Sequence, residues 1–184
     1  MSPMLDLDRI WTLDDLADLS DEFCKRVEIV DGLLIVSPPP VPRHTYVGDI
    51  LFVLLANAAP AWLHVSGSDA GFEFGRSYRK PDLSVLHTSA YRTSRALLDT
   101  ADLVLAVEIE SPSSITTDRI TKPAQYAAAG IAHYWRVETD PLRLVTYRLG
   151  DGAYAETGAW SVGEVAAIDE PFAAEIDVAA LFPS

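Results

Sequence analysis

The residues with the clearest chemical potential are three carboxylates set beside apolar runs, Asp82 in "RKPDLSVL" and Glu108 and Glu110 in "LVLAVEIESPSS". Side chains alternate along a strand, so Glu108 and Glu110 share a face with Ala106 and Val104. Leu103, Leu105, Val107 and Ile109 take the other face. Asp82 opens the preceding run, with Ser84 and Leu86 on its own side. If the two runs are neighbouring strands, Asp82 and Glu108 converge. Carboxylates held close raise each other's pKa unless a cation sits between them. Oxygen-only ligands of this kind suit Mg²⁺ or Mn²⁺. Further along, Asp118, Lys122 and Tyr126 recur every four residues, which is one face of a continuous helix. A lysine aimed at such a site can orient or help deprotonate an attacking water and stabilise a phosphoryl transition state. Pro123 favours a helix that begins near Thr121 or Lys122, with Asp118 in the turn before it.

The same residue types also fit plainer roles. Glu108 and Glu110 could be the solvated face of an edge strand, and Asp118 with Lys122 a surface ion pair. Asp82, following Pro81, could close a turn. His44 and His87 read as hydrogen-bonded or exposed side chains, Cys24 as a packed small residue and Trp135 as core. Spacing alone reaches an acidic site able to hold a metal, and stops there.

The elements that must position these residues are readable in outline. Thr12 and Asp15 resemble a capping pair at a short helix whose apolar face is Leu13, Leu16, Ala17 and Leu19. "KRVEIVDGLLIVSPPP" reads as a β-hairpin turning at Asp31-Gly32, stopped by three prolines. Val47, Ile50, Leu51, Leu54 and Leu55 recur at helical spacing between Pro42 and Asn57. Strands are expected around 62–66 and 72–78, then at "PDLSVLH" and "DLVLAVEIE". An alanine-rich helix, "RITKPAQYAAAG", ends at Gly130, and the strands "IAHYWRVE" and "LRLVTYRL" follow around Asp140-Pro141. Weaker strands lie at 153–159 and 164–167. The expected class is mixed α/β (α+β), in one domain over residues 1–184.

Bulk properties set limits. The chain has 184 residues, 49% apolar and 22% charged, a globular composition. Its longest apolar segment, broken by Asn57 and Pro60, is too short to span a bilayer. The N-terminal residues lack the apolar core of a secretory signal, so a cytoplasmic location and no membrane partner are expected. The single Cys24 excludes an intrachain disulfide and a cysteine-based zinc site. A net charge of −13 argues against coating DNA nonspecifically. It leaves room for a local basic window, Arg76, Arg79, Lys80, Arg92 and Arg95, which flanks Asp82.

Four marks in order, "RVEIVDGLLIVSPPPVPRH", "RKPDLSVL", "LVLAVEIESPSS" and "DRITKPAQYAAAGIAHYW", give a resemblance to a family. The chain resembles the Uma-type endonucleases, a branch of the PD-(D/E)XK nuclease superfamily, from about Leu13 to Tyr154. The resemblance implies a curved mixed sheet flanked by helices, a restriction-endonuclease-like core with the metal at one end of the central strands. It implies Asp82 and Glu108 as Mg²⁺ (or Mn²⁺) ligands with the Ile109 carbonyl as a third, Glu28 beside the metal, and Lys122 as the catalytic lysine, followed by Tyr126. Two departures stand out. The superfamily usually carries its lysine at the position of Glu110, and Thr139 interrupts the usual end of a later strand. Glu110 could ligate, be neutral, point away, or mark a chain that keeps the fold without cleavage.

The resulting expectation is a Mg²⁺-dependent endonuclease that hydrolyses DNA phosphodiester bonds by metal-activated water. Arg79 and Lys80, with Tyr126, would contact substrate. The alternative is an inactive nuclease-fold protein that binds or interacts, and a homodimer through C-terminal strands is a further expectation.

Overall fold

The computed structural model describes residues 9–16, 18–67, 70–92 and 97–182. Ala17 and Arg95, used in the expectations above, lie outside them. Short helices α1 (Leu13–Leu16) and α2 (Asp21–Cys24) precede the hairpin β1 (Val27–Val30) and β2 (Leu33–Val36). Asp31 and Gly32 both have positive φ, 50° and 86°, as a tight two-residue turn between twisted strands requires. Helix α3 (Pro42–Ala58) leads to β3 (Leu63–Ser66). The single strand expected at 72–78 is instead a hairpin, β4 (Phe72–Phe74) and β5 (Ser77–Arg79), because Gly75 takes a φ of +61° and reverses the chain.

Strands β6 (Leu83–His87) and β7 (Leu103–Ile109) come next. A π-helical turn (Thr117–Thr121) runs directly into α4 (Lys122–Ala128), and Gly130 closes that helix with a φ of +78°. The remaining strands are β8 (His133–Thr139), β9 (Leu142–Gly150), β10 (Ala153–Ser161), β11 (Val165–Ile168) and β12 (Ala174–Asp177). The last of these alternates apolar and acidic residues over only four positions and is not among the strands expected from sequence.

Six strands form the central sheet in the order β10-β9-β8-β7-β6-β3, and a four-stranded sheet, β2-β1-β5-β4, lies beside it. Within the six-stranded sheet β7 and β8 are parallel and the other pairs antiparallel, so the segment from the π turn through α4 is the crossover of a β-α-β unit. Val47, Leu51 and Leu55 of α3 pack on one face of the sheet with Val85, Leu105, Val107, Ile109 and Val137. Tyr126 of α4 packs on the other with Leu86, Ala106, Ile131 and Tyr134. A sheet covered on both faces explains why β7 reads as a nearly continuous apolar run.

One expected face assignment is corrected. Val85 pairs with Leu105 and Leu86 with Leu103, so Val104 is an extra residue in a bulge. The bulge turns Leu103 to the face of Ala106, while Val104 packs against the opposite cluster. From Leu105 onward the alternation holds. No described helix is long and apolar enough to cross a membrane.

Candidate active site

Glu108 is wholly buried in a central strand, not on the solvated face of an edge. The helical crossover lies over its face. Lys122 Nζ donates to Glu108 Oε2 at 2.6 Å, and the Tyr126 hydroxyl donates to Oε1 at 2.5 Å. Burial pushes the Glu108 carboxyl well above its usual value, as do the charges of Asp82, Asp118 and Glu28, while Lys122 opposes them. Burial also disfavours the Lys122 ammonium, yet Glu108, Glu28, Asp118 and Asp82 outweigh it and raise the lysine. The balance favours the ammonium form of Lys122. Tyr126 is raised well above the ordinary phenol by its burial and by Glu108, and stays a donor. Its position fixes Glu108, whereas a substrate contact was expected.

Asp82 reaches the same end of the sheet by another route. Leu83 pairs with Val107, and the chain leaves the ladder one residue earlier, at Asp82. Its carboxylate takes over the role of a strand acceptor, receiving the Ile109 N–H at 2.7 Å. His44 Nε2 lies 3.2 Å from the same oxygen. Burial works against the Asp82 charge, but His44, Lys122 and the Ile109 N–H prevail and lower its pKa. His44 shares a helical stripe with Val47 and Leu51 (i, i+3, i+7), a signal that it faces the sheet; taken as an isolated residue, it gives no such sign.

The expected surface pair Asp118–Lys122 is buried. The two ionic atoms are 3.1 Å apart, and Asp118 is only 1% exposed. The π turn makes this geometry. Proline cannot donate to a carbonyl four residues back and clashes with it. Upstream of Pro123 the Lys122 N–H bonds Thr117, five residues away, and the helix continues without a break. The Tyr134 hydroxyl holds the turn by donating to the Asp118 carbonyl at 2.6 Å.

Glu110 does not join this group. Arg119 of the π turn grips it with two hydrogen bonds, 2.7 and 2.9 Å, and Arg136 Nε lies 3.0 Å from Oε1. Arg136 also donates to Glu138 at 2.8 Å, closing a four-residue ionic cluster. The oddity of an acid at this position is answered by two arginines that no sequence motif connects to it. The Thr139 hydroxyl donates to the Glu110 carbonyl at 3.0 Å, so the residue that interrupts the strand pattern also fastens β8 to the end of β7.

Glu28 and Arg79 form a further pair. Arg79 Nη1 donates to Glu28 at 2.8 Å, its Nε and Nη2 donate to Gln125, and the Lys80 N–H donates to the other Glu28 oxygen at 2.9 Å. Arg79 is 2% exposed and lines the cleft, and its guanidinium ties β5 to β1 and α4. Lys80 Nζ donates to the Cys24 carbonyl at 2.5 Å. Arg76 and Arg92 are exposed but do not line the cleft.

The cleft that these elements enclose has a volume of about 900 Å³. Its wall includes Asp82, Ile109, Asp118, Lys122, Glu28 and His44, and Lys25 and Arg26 bring positive charge from outside the expected basic window. Glu108 lies behind Lys122. Among the described residues no three His, Cys, Asp or Glu side chains are gathered closely enough to hold an ion alone. The set implied by the resemblance asks for only two, with the Ile109 carbonyl, and Mg²⁺ usually keeps several waters. A hard cation fits these donors, since all are oxygen.

A family model described as "Uma2: Putative restriction endonuclease" matches residues 13–180. The fold is similar to that of a crystal structure described as "a putative nuclease belonging to DUF820 from Anabaena variabilis ATCC 29413", with a TM-score of 0.70. That match has 19% identity and covers 94% of this chain and 97% of the other. No curated protein matches.

Proposed function

This chain belongs to the Uma2 family, and from that premise we propose that it is a divalent-metal-dependent endonuclease that hydrolyses DNA phosphodiester bonds. The observation that carries the reading is that Asp82 accepts the N–H of Ile109, the residue after Glu108, at one end of the central strands, with each acid held by its own partners. Asp82, Glu108 and the Ile109 carbonyl would hold Mg²⁺ or Mn²⁺. Such an ion supplies Lewis-acid chemistry to phosphate and water.

The chain's own groups account for the rest. His44 and the Ile109 N–H keep Asp82 ionised and oriented. Tyr126 orients Glu108, and the apolar cluster on that face, with Ala106 and Tyr134, excludes water around it. Lys122, at the cleft wall, places a fixed positive charge where a phosphate would gain negative charge. Glu28 is anchored by Arg79, which keeps its negative charge at the cleft wall from being unpaired. Incubation of plasmid and linear DNA with Mg²⁺ or Mn²⁺ tests the proposal. Cleavage by the parent protein, abolished by Asp82→Asn and by Glu108→Gln, is the expected result. No metal-dependent cleavage of any nucleic acid overturns it.

The second reading, a nuclease-fold protein that binds without cutting, is favoured by one contact. Lys122 sits on the Glu108 oxygen that a cation would use. Binding of DNA without cleavage in either metal is its signature.

A further inference from the structure

Large apolar side chains left exposed mark a surface with a use when they gather in one concave place. Ile35, Val36, Val41 and Phe52 each leave more than a third of their surface exposed, and all four line the cleft that holds the acids. Pro38, Pro39 and Pro40, also on the cleft wall, join the end of β2 to α3. The proline rings lock φ, so this part of the wall is stiff before any ligand arrives.

The wall begins at a cation. Arg26 Nε donates to the Ser37 carbonyl at 3.1 Å, which holds an exposed guanidinium directly before the three prolines. Lys25, also exposed, lines the same cleft. On α3 the cleft-lining residues His44, Gly48 and Phe52 are spaced four apart, one stripe of the helix. The stripe runs from the His44–Asp82 contact to the Phe52 ring, about 12 Å at the helical rise of roughly 1.5 Å per residue. Gly48 lines it without a side chain.

Cations and apolar surface in one cleft match a nucleotide chain whose bases are unpaired. Its phosphates take the cations and a base lays its face on an aromatic ring. In a closed duplex those faces are already stacked on one another. The volume of about 900 Å³ is that of a pocket for a small ligand, which one strand can enter and a closed duplex cannot. Stacking also supplies affinity that does not depend on charge, as a chain of net −13 requires.

We propose that the cleft takes an unpaired segment of DNA, with Phe52 stacking on one of its bases. This rests on the endonuclease reading above and names the form of its substrate. Fluorescence anisotropy of a labelled single-stranded oligonucleotide, and of the same sequence as a blunt duplex, tests it without added metal and so apart from cleavage. The parent protein should bind the single strand about tenfold more tightly than the duplex. Phe52→Leu, which stays apolar and loses the ring, should weaken single-strand binding about tenfold and leave duplex binding unchanged. Phe52→Trp should keep the parent affinity, and equal weakening in both variants overturns the role of the ring. Equal affinity for the two DNA forms, or parent-like affinity in Phe52→Leu, overturns the proposal and leaves the endonuclease reading standing. A parent dimer in sedimentation that Phe52→Leu dissociates also overturns it, because the wall then belongs to a second copy. No binding of either form overturns it as well, and the endonuclease reading falls with it only if cleavage in Mg²⁺ or Mn²⁺ is absent too.

Discussion

His44 and Asp82 act on each other's protons in opposite senses. Burial lowers the His44 pKa, but the hydrogen bond and charge of Asp82, joined by the charge of Asp118, raise it above 6.5. Asp82 is lowered below 3.8, since His44, Lys122 and the Ile109 N–H outweigh its burial. A raised histidine stabilises the fold fully below its unfolded pKa and loses that contribution as pH rises through the folded one. A lowered aspartate stabilises above its unfolded pKa and loses that contribution as pH falls through the folded one. His44→Asn should therefore cost most stability between pH 3.8 and 6.5 and progressively less at alkaline pH. Melting temperatures across pH measure this, and a penalty that does not vary with pH contradicts the pairing. At this scale the sequence is a good guide to residue type and a poor one to partnership. Asp82, Glu108 and Lys122 can be picked out by motif. Arg119 and Arg136 as the partners of Glu110 cannot, because their contacts cross between a π turn and two strands.

Elements whose signals are local are legible: the Asp31-Gly32 hairpin, the apolar stripe of α3 and the Gly130 stop. Those set by tertiary contact are not. The bulge at Val104 depends on how β7 pairs with β6, and the π turn depends on how Pro123 is reconciled with α4 lying on the sheet. The ionic cluster of Glu110, Arg119, Arg136 and Glu138 fastens that turn to β7 and β8. Glu110 is 4% exposed, and truncating it removes the ionic partner of Arg136 Nε and leaves Glu138 to pair both arginines. Glu110→Ala should cost about 3 kcal/mol, the scale for breaking a buried ion pair. Arg119→Ala, at a partly exposed position, should cost about 1 kcal/mol or less, because Arg136 still neutralises Glu110. Urea unfolding of the two variants measures the difference, and equal penalties would contradict the roles assigned to the arginines.

The molecule as a whole carries −13, yet its cleft is lined by Lys25, Arg26, Lys80 and Lys122. Nucleic acid approaching an acidic protein must be drawn by such a local field, and binding then depends on few phosphates. Replacing Lys25 and Arg26 together by alanine should weaken DNA binding and reduce its salt slope by about one for each phosphate these side chains neutralise. Fluorescence anisotropy over a range of salt concentrations reads both quantities, and an unchanged slope removes these residues from the interface. On the proposed reading, a cation at the end of β7 joins what the sheet, α3 and α4 bring together. The most direct test of that claim is a crystal soaked in Mn²⁺ and measured for anomalous signal. The expected result is an ion between Asp82 and Glu108 with the Lys122 ammonium beside it. A soaked crystal with no anomalous peak at these carboxylates would contradict it.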